Sequence, residues 1–338
     1  MYNRTLSGSI RTLELDSAVL KGNPLGDPHV RRFPVYLPPG YDESSERYPV
    51  IYALAGFTGT GLNMPNFAVW GESLPEQIDN LIADGESPPV IVVMPDCFTA
   101  LGGSQYLDSP LVGAYQTYLT NDLLPFIDAT LRTIPKTAAR GVIGKSSGGF
   151  GALTLGMRHP DLFAAVGCHS GDMYFEYCYL RDFPKAVDTL NRYGNVASFL
   201  DQFYQAIAKG PLIPTLNIVA MAAAYARDDA TAIELPFTLP TGELLPEVWE
   251  RWLEFDPVRL AEGYADALKG LKLLYLDAGE RDEFALHHGA RIMAGRLEAL
   301  GVEFTYDEHP GGHFGINHRY KVSLKAVAAA LSDGIGGH

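Results

Sequence analysis

Cysteine is scarce in this chain. Three residues, Cys97, Cys168 and Cys178, stand in 338, and no two form a CxxC pair. A sparse, odd set gives no disulfide framework and no zinc site, so the thiols read as buried or free in a reducing compartment. Basic residues are also in the minority: 26 Lys+Arg face 40 Asp+Glu, for a net charge of −14. A general nucleic-acid or anionic-membrane binder needs a basic surface, so neither partner is expected. Long apolar runs are missing too. "IVAMAAAYA" (218–226) breaks off at "RDD", short of the ~18 residues of a spanning helix. The opening "MYNRTLSGSIRTLELDS" lacks the apolar core of a signal peptide. The expected location is cytoplasmic. Internal repeats and low-complexity tracts are absent.

What the chain has is material for a core. Hydrophobic residues make up 47% and aromatic residues 11%, enough for one large domain or two small ones. "SIRTLELDSAVL" and "VRRFPVYLPPG" read as strands. "RYPVIYALAG" and "PPVIVVMPD" are short apolar runs of the kind buried on both faces of a sheet, and "ARGVIGK", "FAAVGCHSG", "LKLLYLDAG" and "VEFTYDEHP" read as further strands. Between them lie stretches of helical spacing: "NFAVWGESLPEQIDNLIADG" with Gly85 at its end, "YQTYLTNDLLPFIDATL" with a kink or restart at Pro125, "GGFGALTLGMRHP", "FALHHGARIMAGRLEALG" and "NHRYKVSLKAVAAALS". This alternation predicts an α/β fold, a mostly parallel sheet covered by helices on both faces, with two antiparallel strands at an edge. Residues 172–256 break the rhythm: four helix-like segments, with prolines between them and no strand. The strands on either side belong to one sheet, so 1–338 reads as a single domain and 172–256 as a helical cap inserted in it.

The stretch "GVIGKSSGGFGAL" (141–153) sits between a buried strand and a helix, where no linker would fall. A P-loop would need GxxxxGK[ST] and a dinucleotide fold GxGxxG; neither spacing is present. GxSxG is: Gly144-Lys145-Ser146-Ser147-Gly148. Only Ser146 has a glycine two residues away on each side. A nucleophile mounted on a strained strand-to-helix turn needs small neighbours there, because strand and helix backbones approach closely. The helix start behind it favours negative charge.

A serine hydroxyl needs a base, and the base an orienting carboxylate, in the order Ser, Asp/Glu, His for this fold. His313, in the Gly-rich loop "HPGGHFG" at a strand's carboxyl end, is the expected base. His309 and His318 are its rivals, His169 reads as a packed neighbour, and His287 and His288 as surface residues. For the acid, "DAGERDEF" offers Asp282, far enough into the loop to reach His313. Asp277 stands at the strand end where it can cap the turn, and Glu280 and Glu283 are lesser options. The oxyanion donors expected are the backbone N–H of Ser147 and that of Phe57 in "LAGFTGTG", with Gly56 allowing close approach of substrate.

These segments together resemble the putative-esterase group of α/β-hydrolases, which includes esterase D, the enterochelin and feruloyl esterases and the antigen 85 mycolyltransferases. "RYPVIYALAGFTGT" is similar to that group's strand and oxyanion loop, and "GGSQYLDSPLVGAYQTYLTNDLLPFID" to its aromatic segment. "GVIGKSSGGFGALTLGMRHPDLFAAVGCHSG" is similar to its elbow, "LDAGERDEF" to a DxGxxDxF pattern whose second aspartate is the triad acid, and "PGGHFG" to its histidine loop. The resemblance implies an α/β-hydrolase fold with the triad Ser146, Asp282 and His313. Three features depart from the pattern. Lys145 stands where histidine or an apolar residue is usual, the insertion of about 85 residues is long, and the loop after Gly56 lacks the cysteine of esterase D.

The expectation is a serine carboxylic-ester hydrolase working through an acyl-enzyme, with neither metal nor cofactor, on a small-molecule or oligomeric ester. A homo-oligomer is left open. The alternatives are acyl transfer to an alcohol, peptide hydrolysis and a non-catalytic binding protein on the same scaffold. Cap aromatics, Trp249 and Trp252 among them, are expected to help line the substrate pocket, faced by Tyr106 or Tyr115.

Overall fold

In a computed structural model, which describes residues 5–333, eight strands form one sheet. They are β1 (Ser9–Asp16), β2 (Val30–Leu37), β3 (Val50–Leu54), β4 (Ile91–Val93), β5 (Arg140–Lys145), β6 (Ala165–His169), β7 (Leu273–Gly279) and β8 (Thr305–His309). Their order across the sheet is β1-β2-β4-β3-β5-β6-β7-β8. Neighbours from β4 to β8 are parallel, whereas β1 pairs antiparallel with β2, and β2 antiparallel with β4. The two antiparallel strands thus stand at one edge.

Period-two alternation divides the strand side chains between two core layers. Ile51, Ala53 and Ile143 pack with Ile78 of helix Leu74–Ala83 and with Leu324 and Val327 of the closing helix Tyr320–Ser332. Val50, Tyr52, Leu54 and Val142 face the other way and join Phe150 of helix Ser147–Arg158 and Met293 and Leu297 of helix Leu286–Leu300. Both faces are therefore covered, as the uninterrupted apolar strands require.

Two elements differ from the sequence reading. The helix expected from residue 66 begins only at Leu74. Ser73 accepts from the Glu76 N–H while Glu76 accepts from the Ser73 N–H at 2.7 Å, and Pro75 occupies the first turn. This capping box fixes the start and leaves Phe67, Val69 and Trp70 exposed on the preceding loop. In the segment around Pro125, residues Tyr118–Leu123 form a wide π-helical turn before helix Leu124–Thr130 resumes. Proline has no N–H to continue the regular ladder, and the wide turn absorbs the mismatch.

Residues 172–256 leave the sheet after β6 and return before β7, whose strands pair directly, Ala165 opposite Leu273. They hold helices Phe183–Tyr193, Val196–Gln205, Ile213–Ala224 and Pro246–Leu253, of which Phe183–Tyr193 and Pro246–Leu253 are strongly amphipathic. Their aromatic side chains close on one another. Phe183 meets Trp249 and Trp252 edge-on at 5.6 and 5.8 Å, and Trp252 meets Tyr179 and Tyr225 at 5.7 and 5.4 Å. No helix among the described residues is long and apolar enough to cross a membrane.

Candidate active site

Ser146 is the hinge between β5 and helix Ser147–Arg158. Its backbone is at φ 59°, ψ −127°, a region that costs a non-glycine residue about 1–3 kcal/mol. The strain is held by hydrogen bonds on both sides: the Ser146 N–H donates to the His169 carbonyl, and the Phe150 N–H to the Ser146 carbonyl, each at 2.9 Å. The flanking glycines are obligatory. A Cβ on Gly144 would collide with the carbonyl of Gly148, and one on Gly148 with the carbonyl of Leu54. The spacing seen in the sequence is the footprint of three backbones crossing at one point.

β7 and β8 deliver the other two groups. Asp282, three residues beyond β7, accepts from His313 Nδ1 through Oδ2 at 2.9 Å and from the Phe284 N–H through Oδ1 at 2.9 Å. Both side chains are buried, and the Phe284 ring stands edge-on to the imidazole at 4.8 Å. Burial alone raises the Asp282 carboxyl, but the His313 hydrogen bond and charge, with the Phe284 N–H, outweigh it and hold the pKa below the ordinary carboxylate value. With Nδ1 bound to the acid, Nε2 is the imidazole's free nitrogen.

Ser146 and His313 line one cleft of about 720 Å³ together with Gly56, Phe57 and Ser147. The serine and the imidazole are not hydrogen-bonded to each other, a gap that unliganded sites commonly close only with substrate bound. Neither the Phe57 nor the Ser147 N–H finds an acceptor within the described residues. The Ser147 hydroxyl is buried without a partner, so this residue offers the cleft only its backbone. Gly56 is pressed against the serine: a Cβ there would stand 3.4 Å from that of Ser146. A rival nucleophile, Cys178, also lines the cleft, but burial pushes its thiol well above the ordinary value, and a protonated thiol is unreactive.

The competing candidates fall elsewhere. Asp277 binds His169, whose Nδ1 lies 2.9 Å from Oδ1, and accepts from Tyr275 and Arg319. Glu283 accepts the His313 backbone N–H at 2.5 Å, so it holds the loop rather than the ring. Glu280 is exposed beside Arg281. His318 Nδ1 faces the Gly315 carbonyl at 3.3 Å, and His309, largely buried, has no partner at Nε2.

The expected aromatic wall is corrected by the structure. Tyr106, Tyr115, Trp249 and Trp252 are buried and line no part of this cleft. The Tyr106 hydroxyl donates to the Ala55 carbonyl at 2.5 Å, and its ring lies against Gly151. The Tyr115 hydroxyl takes a hydrogen bond from Arg31. The two tryptophans fill the core between the helices of residues 172–256. From residues 172–256 the cleft is instead lined by a set that includes Asp172, Tyr179, Asp182, Ile213, Pro214 and Asn217. One support had no sequence signal. The Gly103 N–H donates to the Phe57 carbonyl at 2.7 Å, which fixes the peptide that follows the Phe57 N–H, and a Cβ on Gly103 would stand 3.1 Å from the Phe57 Cα.

The sequence matches the family described as Putative esterase over residues 28–314. It is 28% identical to the Bacillus subtilis protein YbbA over 154 residues, 43% of this chain and 58% of that one. It is 35% identical over 142 residues to the Mycobacterium tuberculosis esterase Rv1288, 40% of this chain and 28% of the relative. The matched stretches span less than two thirds of these relatives' lengths. Among solved structures, a ferulic acid esterase has the same fold, with a TM-score of 0.61 at 21% identity over 97% of this chain and 99% of that one.

Proposed function

The chain belongs to the Putative esterase family, and on that premise we propose that it is a serine carboxylic-ester hydrolase with Ser146 as nucleophile, His313 as base and Asp282 as orienting acid. One observation carries the reading. The Asp282–His313 pair opens onto the cleft where Ser146, at a positive φ, heads a helix. Ser146 Oγ attacks the ester carbonyl and its proton passes to His313 Nε2. Asp282 keeps the imidazole in the Nδ1–H tautomer and balances the charge it acquires. The Phe57 and Ser147 N–H groups stabilise the tetrahedral oxyanion, each worth on the order of 3 kcal/mol. His313 then protonates the leaving alcohol, and water, deprotonated by the same ring, releases the acid from the acyl-enzyme. In this reading residues 172–256 form a cap whose cleft-facing residues, Ile213 and Asn217 among them, set acyl preference.

The test is labelling by a fluorophosphonate together with hydrolysis of a panel of 4-nitrophenyl and ferulate esters. Ser146→Ala should lose labelling and hydrolysis with the fold intact, while Ser147→Ala keeps most of both. Full activity in Ser146→Ala sinks the assignment. Added acceptor alcohols divide hydrolysis from transfer.

A further inference from the structure

Lys145 is the residue of the elbow for which the reaction above has no use. It ends β5, so its Cα stands about 3.8 Å from that of Ser146. Its side chain is half-buried and lines the cleft with Ser146, Phe284, His313 and Phe314. Burial pulls the ammonium below the ordinary lysine value, and the charges of Asp282 and Glu283 pull it back up. Neither acid pairs with it. Asp282 is engaged by the His313 ring and the Phe284 N–H, and Glu283 by the His313 N–H. The nearest ring, Phe314, lies 6.0 Å away centroid to ammonium, at the outer limit of a cation–π contact. Within the described residues the ammonium makes no hydrogen bond and no ion pair.

A cation withdrawn from water is costly unless it is paired, and this one faces the space a substrate would fill. It is also the one lysine or arginine among the described residues lining the cleft. Three further carboxyl groups face that space from other walls. Asp172 accepts from Gln105 and Tyr179 and is raised by burial. Asp182 is likewise raised by burial, and Glu72 accepts the Asn80 amide. None of those walls offers a positive charge, so an anionic group entering the cleft has one cationic partner, Lys145, beside Phe314.

We propose that Lys145 is a specificity residue and that the preferred substrates are esters carrying an anionic oxygen group, a carboxylate or phosphate, within a few bonds of the scissile carbonyl. The inference rests on Ser146 being the nucleophile. Two matched pairs of probes test it. Mono-4-nitrophenyl adipate against its methyl ester places the charge on the acyl side, and 3-carboxyphenyl butyrate against its methyl ester places it on the alcohol side. In at least one pair the charged-to-neutral ratio of kcat/KM should fall tenfold or more in Lys145→Met, persist in Lys145→Arg, and fall in the unmodified protein as salt rises from 20 to 500 mM. A phosphate-bearing butyrate ester, run alongside, shows whether the site takes that anion as well as carboxylate. A ratio within twofold of the unmodified protein in both pairs, or equal loss on charged and neutral esters, overturns the proposal. Absence of Ser146-dependent hydrolysis of every ester by the unmodified protein would instead reject the esterase reading. The salt dependence needs no substitution, so the test survives a variant that fails to fold.

Discussion

The fold contains a second Ser-His-Asp chain, and replacing its acid separates geometry from access. Ser323 Oγ lies 2.7 Å from His169 Nε2, and His169 Nδ1 lies 2.9 Å from Asp277 Oδ1. By distances alone this chain is more complete than the one at the cleft. Yet Ser323 is 0%, His169 1% and Asp277 1% exposed. Ser323 also sits within the closing helix instead of on a strained turn at a helix start. Asp277 is a structural hub: it accepts from Tyr275 at 3.0 Å and from Arg319 Nε at 2.9 Å, and Arg319 reaches on to Asp307. Burial alone raises the Asp277 carboxyl, but His169 and Arg319 together hold it below the ordinary value. Asp277→Asn keeps the volume but removes the buried one of the two charges that balance Arg319, Asp307 being the other. Breaking a buried pair costs about 3–5 kcal/mol. At roughly 2–4 °C per kcal/mol for a large domain, Tm should fall by about 6–20 °C. Measured well below that Tm, kcat/KM on 4-nitrophenyl acetate should stay within about fivefold, since the proposed mechanism does not use this carboxylate. A loss near 10³ in kcat with Tm unchanged would falsify the assignment of the two aspartates.

Asp282→Asn should do the opposite and lower kcat by about 10⁴ through the wrong histidine tautomer; a loss under tenfold on 4-nitrophenyl acetate removes Asp282 from the mechanism. The sign of its pH dependence follows from a folded pKa held below the ordinary 3.8. Stability from this group is fully present above about pH 4 and is lost as pH falls through the lower folded value. Tm measured from pH 3 to 7 should therefore show a shallower acid fall in Asp282→Asn than in the unmodified protein; identical curves contradict the shift. Ile213→Ala, which changes a cleft-facing residue, should alter rates among long and aromatic esters more than on acetate, whereas Trp249→Ala should lower Tm and scale all esters together. Equal scaling by Ile213→Ala removes the cap from substrate choice.

The setting of Ser146, the proposed nucleophile, was legible because its constraint is local and steric. Gly144 and Gly148 are required by backbone crossing within five residues, and a sequence writes that requirement down as two glycines. The sheet was legible for a similar reason. Strands buried on both faces, such as Val50–Leu54, have no polar alternation to hide them. The order of Ser146, Asp282 and His313 along the chain also matched the order in which β5, β7 and β8 reach one edge, though only the structure brings the Asp282–His313 pair to 2.9 Å. The start of the first helix was misread from apolar spacing at Phe67, Val69 and Trp70, although the signal that decides it, Ser73 and Glu76, was present in the sequence.

The aromatic wall could not be read in this way, and the reason is energetic. A buried aromatic side chain removes 150–250 Å² from water, at about 25 cal/mol per Å² of apolar area. A large ring in an insertion without a sheet of its own therefore goes first to whatever core the insertion can build. Trp249 and Trp252 do this, closing on Phe183, Tyr179 and Tyr225. What faces the cleft is a mixed set, Ile213, Pro214 and Asn217 with the edge of core residues such as Tyr179, together with polar groups held by partners far along the chain, such as Asp172 with Gln105. Composition favours the wrong set for the same reason that the fold is stable: the side chains conspicuous in a sequence are those the core needs. The lining is set by long-range contacts that carry no local pattern. The Gly103 N–H on the Phe57 carbonyl, joining positions 46 residues apart, is one such contact, and Lys145, left without a partner among the described residues, is the case where the missing contact is informative.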